Sequence, residues 1–224
     1  MAFDVKDFQS RFPEMKPFIG DDYIRAREKG CALLVIGESH YLPEGSTKHL
    51  NTKWYSLDDT CLDEDEKEYI DTSNLIKNDI KKKWFQKEHS IWRNGYQQIN
   101  KTGPKLPDYI DCFKYTIFYN FYLRPANKGN SIKELRTHFD DVVSNEYFRW
   151  IVGSYSPNGI IFFSRFAYDN CWERKDLLIP VVATPHPGCR WWNRKSSKYG
   201  GRYGRDIVED VMRGMNWEWV HSCI

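Results

Sequence analysis

The stretch Ala32-Leu-Leu-Val-Ile-Gly-Glu-Ser-His-Tyr-Leu-Pro43 decides how the chain is read. Its first five residues form a short aliphatic run between Gly30 and Gly37, the pattern of a strand buried on both faces. A carboxylate, a hydroxyl, an imidazole and a phenol then follow without a break, at Glu38, Ser39, His40 and Tyr41. Open α/β sheets bind ligands in the crevice outside the carboxyl ends of their strands. Those four side chains are therefore expected to face a cleft and not the core.

The same pattern repeats further along. Tyr115 to Tyr119 is β-branched and aromatic and ends at Asn120. Ile160 to Phe163 runs into a helix through Phe166 and Ala167, and Ile179 to Ala183 leads to Thr184-Pro-His-Pro-Gly188. Ser131 and Glu134 have the spacing of a capping box, opening a helix in which Ile132, Leu135, Phe139, Val142, Val143, Tyr147, Trp150 and Ile151 keep helical spacing. Further helices are expected in residues 4–30, broken near Pro13 and Pro17, around Thr72 to Phe85, and over Arg205 to Met212. Strands alternating with helices predict an α/β fold with a mostly parallel sheet covered on both faces. The polar strand ends at Glu38, Asn120 and His186 would then meet at one rim.

At 224 residues the chain suits a single domain spanning 1–224, with an N-terminal helical extension (1–30) and an insertion (44–110) that is polar and irregular. Nine Trp, fourteen Tyr and thirteen Phe provide either a heavy core or stacking surfaces for bases. The net charge of +2 nominates no partner, but its distribution does. Cys189 to Arg205 holds six basic residues and no acid, the electrostatic footprint of a phosphate-binding segment, whereas Asp58 to Asp71 is strongly acidic. The six cysteines are scattered, with no C-x-x-C pair and no ligand-like His spacing, so reduced thiols and no metal are expected. Met-Ala-Phe-Asp with its early charges does not read as a secretory signal, and no apolar run approaches spanning length. The expectation is a cytoplasmic protein with no membrane partner.

The order of these signatures resembles the uracil-DNA glycosylase superfamily. That family places a Gly-Gln-Asp-Pro-Tyr or Gly-Glu-Ala-Pro-Gly loop after its first strand, an asparagine at the end of the second, and a His-Pro-Ser loop after the last. The matching positions are Gly37-Glu38-Ser39-His40-Tyr41, Asn120 in Thr-Ile-Phe-Tyr-Asn-Phe-Tyr-Leu-Arg-Pro125, and His186-Pro187-Gly188. The match spans residues 32–41 and 114–212. It implies a three-layer α/β/α sandwich with a central four-stranded, mostly parallel sheet, and a DNA partner whose flipped uracil or other deaminated base is released by hydrolysis of its N-glycosidic bond.

Carried onto this chain, the resemblance implies catalytic roles for Glu38, Ser39 and His186. Gly37, Tyr41 and Asn120 would hold the base, since an amide offers a uracil edge both a donor and an acceptor. Tyr55 or Trp54 would stack on it. Arg190, Trp191, Arg194 and Lys195 would touch DNA, aromatic and basic residues being interleaved there. The chain departs from the family where Ser39 replaces the catalytic Asp and His40 replaces the proline. A hydroxyl supplies no formal charge, so the alternative is a non-catalytic nucleotide- or nucleic-acid-binding member of the same fold. Gly-Glu-Ser-His also resembles the start of erythromycin-esterase-like hydrolases, in which Glu38 and His40 would activate water. The iron–sulfur cysteines of the Gly-Glu-Ala-Pro-Gly type are missing, and no cofactor is expected.

Overall fold

In the computed structural model, which describes residues 3–50, 52–79 and 90–221, five strands form one mixed sheet. They are β1 (Phe18–Ile19), β2 (Leu33–Leu42), β3 (Thr116–Asn127), β4 (Gly159–Phe162) and β5 (Val181–Ala183), in the order β1-β3-β2-β4-β5. The strands from β2 to β5 pair in parallel, as expected of aliphatic runs separated by helical segments. The fifth strand corrects the four-stranded expectation. Residues 4–30 are not helical throughout: Phe18 and Ile19 pair antiparallel with Phe118 and Ile117. Two residues between Pro17 and Gly20 are too few to show a periodicity.

From β2 the chain goes to β3 on one side and afterwards to β4 on the other, so the topological switch point lies between β2 and β4. The last row shared by four strands is Tyr119, Ile36, Phe162 and Ala183. Beyond it β4 and β5 stop, while β2 and β3 continue as a two-stranded arm to Leu42 and Asn127, with a register shift between Ser39 and Tyr41. The sequence pattern ends the first strand at Ile36 and the second at Asn120. Both run on into the arm.

Helices α1 (Val5–Arg11), α2 (Tyr23–Glu28), α3 (Glu64–Ile70), α4 (Ser90–Thr102), α5 (His138–Tyr155), α6 (Arg165–Asn170), α7 (Glu209–Met212) and α8 (Glu218–His221) surround the sheet. Leu33 to Ile36 and Ile160 to Phe162 are buried throughout, so both faces of the central strands are covered. Around Thr72 the expected helix is a short turn, Thr72–Asn74, continued as a π-helical stretch over Leu75–Asp79. Its remainder, with Trp84 and Phe85, lies outside the described residues. No disulfide joins the described cysteines, and Cys223 lies outside them.

The entry into α5 also differs from expectation. Ser131 caps only the 3-10 turn Ile132–Glu134, and α5 starts at His138 with a capping box formed by Thr137 and Asp140. A long-range contact sets this start. Arg124, 1% exposed, pairs with Asp140 at 2.6 Å and donates to the carbonyls of His49, at 3.0 Å, and Leu135. Burial alone would raise the Asp140 carboxyl; the Arg124 guanidinium, with the Thr137 backbone and the Tyr55 hydroxyl, outweighs it and holds the group below its ordinary range. The Tyr55 hydroxyl donates to Asp140 at 2.8 Å, and Trp54 stacks on Phe12 with ring centroids 4.8 Å apart. Residues 44–110 thus supply core, with Trp92, Tyr96 and Ile99 of α4 buried as well.

Candidate functional site

The strand-end signatures fall on successive levels just past the last full row of the sheet. Gly37 pairs with Asn120 on the first level. A Cβ at Gly37 would overlap Oδ1 of Asn120, so the glycine makes room for the amide to lie beside β2. Asn120 is half-buried, and its amide makes no hydrogen bond among the described residues. On the β4 and β5 side, Phe163 and Thr184 leave the sheet at this level, with Phe163 N–H bonded to Ile36 O at 2.7 Å and Thr184 N–H to Phe162 O at 2.9 Å.

One step further lies Glu38. Its Oε2 accepts from the Ser164 hydroxyl at 2.6 Å, and its Oε1 accepts from the Ser131 hydroxyl. Ser164 is also the N-cap of α6, accepting from Ala167 N–H at 3.1 Å, so one hydroxyl caps the helix and holds the carboxylate. Neither serine stood among the sequence candidates as a partner of Glu38. The signal at Ser164, a hydroxyl between strand and helix, reads as a cap and does not reveal its second bond.

His186 faces the same crevice from the β5 side. Its Nδ1 accepts from Gly188 N–H at 3.0 Å, which requires the neutral ring and places the proton on Nε2. Gly188 is packed closely by Ser90 and by the His186 ring, and a side chain there would strike both. His186 is exposed as a residue, yet the protein packed around its ring desolvates it and lowers its pKa, while the charge of Glu38 acts in the opposite direction. Tyr41 lies within the reach of the same charge. Burial first and Glu38 second raise its pKa, keeping the phenol protonated as a donor.

Other candidates are elsewhere. Ser39 is 7% exposed, and its Oγ is enclosed without a partner among the described residues. On a strand it points to the opposite face from Glu38, the face on which the Asn120 amide lies over Gly37, and it takes the catalytic Asp position in sequence with its hydroxyl shut in there. His40 is 5% exposed, and burial lowers its pKa to about 4. Tyr55 and Trp54 belong to the core contacts described above, so neither offers a face for stacking.

The basic segment leaves the His186 loop as the 3-10 turn Arg190–Asn193. Trp191 is 44% exposed with the Arg190 guanidinium 5.0 Å from its ring centre, whereas Trp192 is 3% exposed and packs edge-on against Phe163. Arg194 and Lys195 are exposed, and Lys195 forms an isolated antiparallel bridge with Tyr203. One tryptophan thus anchors the segment while its neighbour is presented beside the cations.

No protein-family model and no curated protein matches the chain. Among the described residues no helix is long and apolar enough to cross a membrane. The strand ends therefore offer their own chemistry: a carboxylate held by two hydroxyls, with a neutral imidazole donor and a phenol donor within reach of its charge, and, on the opposite face of β2, an amide without a partner among the described residues.

Proposed function

We propose that the chain hydrolyses the N-glycosidic bond of an extruded uracil or other deaminated base in DNA, in a glycosylase-like α/β/α sandwich built on its four parallel strands. The observation carrying this reading is the neutral His186, whose Nε2–H has no partner among the described residues, within the electrostatic reach of the held Glu38 carboxylate. A duplex base must leave the stack before its glycosidic bond can be reached. The Asn120 amide then pairs with the polar edge of the base. As the bond breaks, its electron pair passes to the base, and His186 Nε2–H stabilises the developing anion. Glu38 opposes the positive charge on the sugar and accepts the proton of the water that adds to it. Tyr41 fits the role of closing the pocket against a 5-methyl group.

Oligonucleotides carrying uracil, hypoxanthine or xanthine test this, with abasic sites read by strand cleavage. Base release is expected, and His186→Ala, Asn120→Ala and Glu38→Gln should each reduce it by roughly a hundredfold or more. Release indifferent to all three substitutions would sink the assignment. Oligonucleotide binding without any release would move the chain to the non-catalytic reading, which the enclosed Ser39 hydroxyl favours. The enclosed His40 ring gives the esterase reading no comparable support.

A further inference from the structure

A second concavity, of about 370 Å³, lies between α4 and the basic segment and is lined by Asn94, Gln97, Gln98, Lys101, Trp192, Asn193 and Arg205. The four α4 residues stand at i, i+3, i+4 and i+7, one stripe of the helix, while Trp92, Tyr96 and Ile99 form its buried stripe. The lining contains two cations, Lys101 and Arg205, and no carboxylate. The Arg205 guanidinium is fixed over the Tyr203 ring at 4.9 Å and donates to Asn193 Oδ1 at 2.6 Å, while its nearest acid, Asp206, is 3.9 Å away. The concavity shares a wall with the cleft, because the Asn94 amide donates at 2.9 Å to the carbonyl of Pro187, next to His186.

From this juxtaposition we infer that the concavity is a subsite for a nucleotide of the same DNA strand, flanking the extruded one. Lys101 and Arg205 meet its phosphate, and the Gln97 and Gln98 amides meet the polar edge of its base. Amides supply donor and acceptor together, which suits base edges, while an anionic ligand without a polar ring would leave them unused. The volume lies in the range of small-ligand sites. The inference rests on the nucleic-acid reading above and adds to it a site one wall of which, α4, belongs to the 44–110 segment that the superfamily resemblance leaves out.

The test uses a labelled, uracil-free oligothymidylate in fluorescence anisotropy at several salt concentrations, with the exposed pair changed together as Gln97→Ala, Lys101→Ala. The double variant is expected to bind about five- to tenfold more weakly, with a salt slope lower by about 1. Lys101→Arg should keep most of the affinity. Unchanged affinity and slope in the double variant, or no binding by the wild-type chain, would overturn the subsite. Binding of thymidine monophosphate as tight as that of the oligonucleotide would also overturn it, since the site would then serve free nucleotides. Base release with variant-insensitive binding removes the subsite and leaves the reaction. Variant-sensitive binding without base release does the reverse.

Discussion

His40 and His186 are both imidazoles near one crevice, and their surroundings separate them. His186 is exposed as a residue and keeps a backbone donor on Nδ1, so its other nitrogen is available for chemistry. His40 is enclosed, and it is expected to act through stability. Its pKa falls from 6.5 to about 4 because the buried ring is hard to charge. Between those values the unfolded chain takes up a proton that the folded chain refuses. Its neutral form costs nothing above about pH 6.5, and folding stability then drains away as the pH falls towards 4, by at most roughly 3 kcal/mol. Urea midpoints measured from pH 7 to pH 4 should show this slope, and His40→Gln should flatten it. A wild-type midpoint constant over that range would contradict the assignment.

At the scale of elements, Thr137 and Ser131 divide two tasks that one sequence motif had merged. Thr137→Ala should destabilise the protein by about 1 kcal/mol through loss of the α5 cap, measured by chemical denaturation. Ser131→Ala should cost less, since the hydroxyl caps only one exposed 3-10 turn, and should alter the setting of Glu38. The sequence alone suggested the cap at Ser131, because the local spacing is satisfied there; the grip of Arg124 on Asp140 and the Leu135 carbonyl is a contact over long range and leaves no local trace. The apolar runs of β2, β3 and β4 could be read directly, since burial on both faces demands continuous apolar residues, and the short Val-Val-Ala of β5 keeps the same character though partly buried. Past Ile36 the pairing with β4 ceases, and β2 continues through polar residues that look like a loop although Ser39 and His40 are buried among them. The same principle accounts for the site. Glu38, Asn120 and His186 stand at the ends of readable strands, whereas the serines that hold Glu38 come from distant turns, and Tyr55 is drawn into the core by Asp140.

Across the whole molecule, charge is segregated while its net value stays small. The exposed cations of residues 190–195 stand beside the His186 loop, and the acidic run near residue 64 lies on α3 and its approaches. Removing Arg190 and Arg194 together should weaken oligonucleotide binding across sequences alike and lower the salt slope by about 1 to 2; an unaltered slope would take the turn out of the interface. The sheet itself is guarded on the β3 side, where the two residues of β1 cover part of an otherwise open edge.

The arm of β2 and β3 brings one more group to the crevice. Ile36 turns its carbonyl towards β4, where Phe163 N–H meets it at 2.7 Å. Backbone groups two residues apart on a strand share a direction, so the amide N–H and carbonyl of Glu38 also point to that side, where β4 no longer answers them. At Glu38 this edge of β2 has no strand partner among the described residues, beneath the carboxylate that Ser164 holds. Substitution at position 38 changes the carboxylate and leaves that edge in place. In the proposed reaction, affinity for the ligand and its turnover would thereby separate at a single residue.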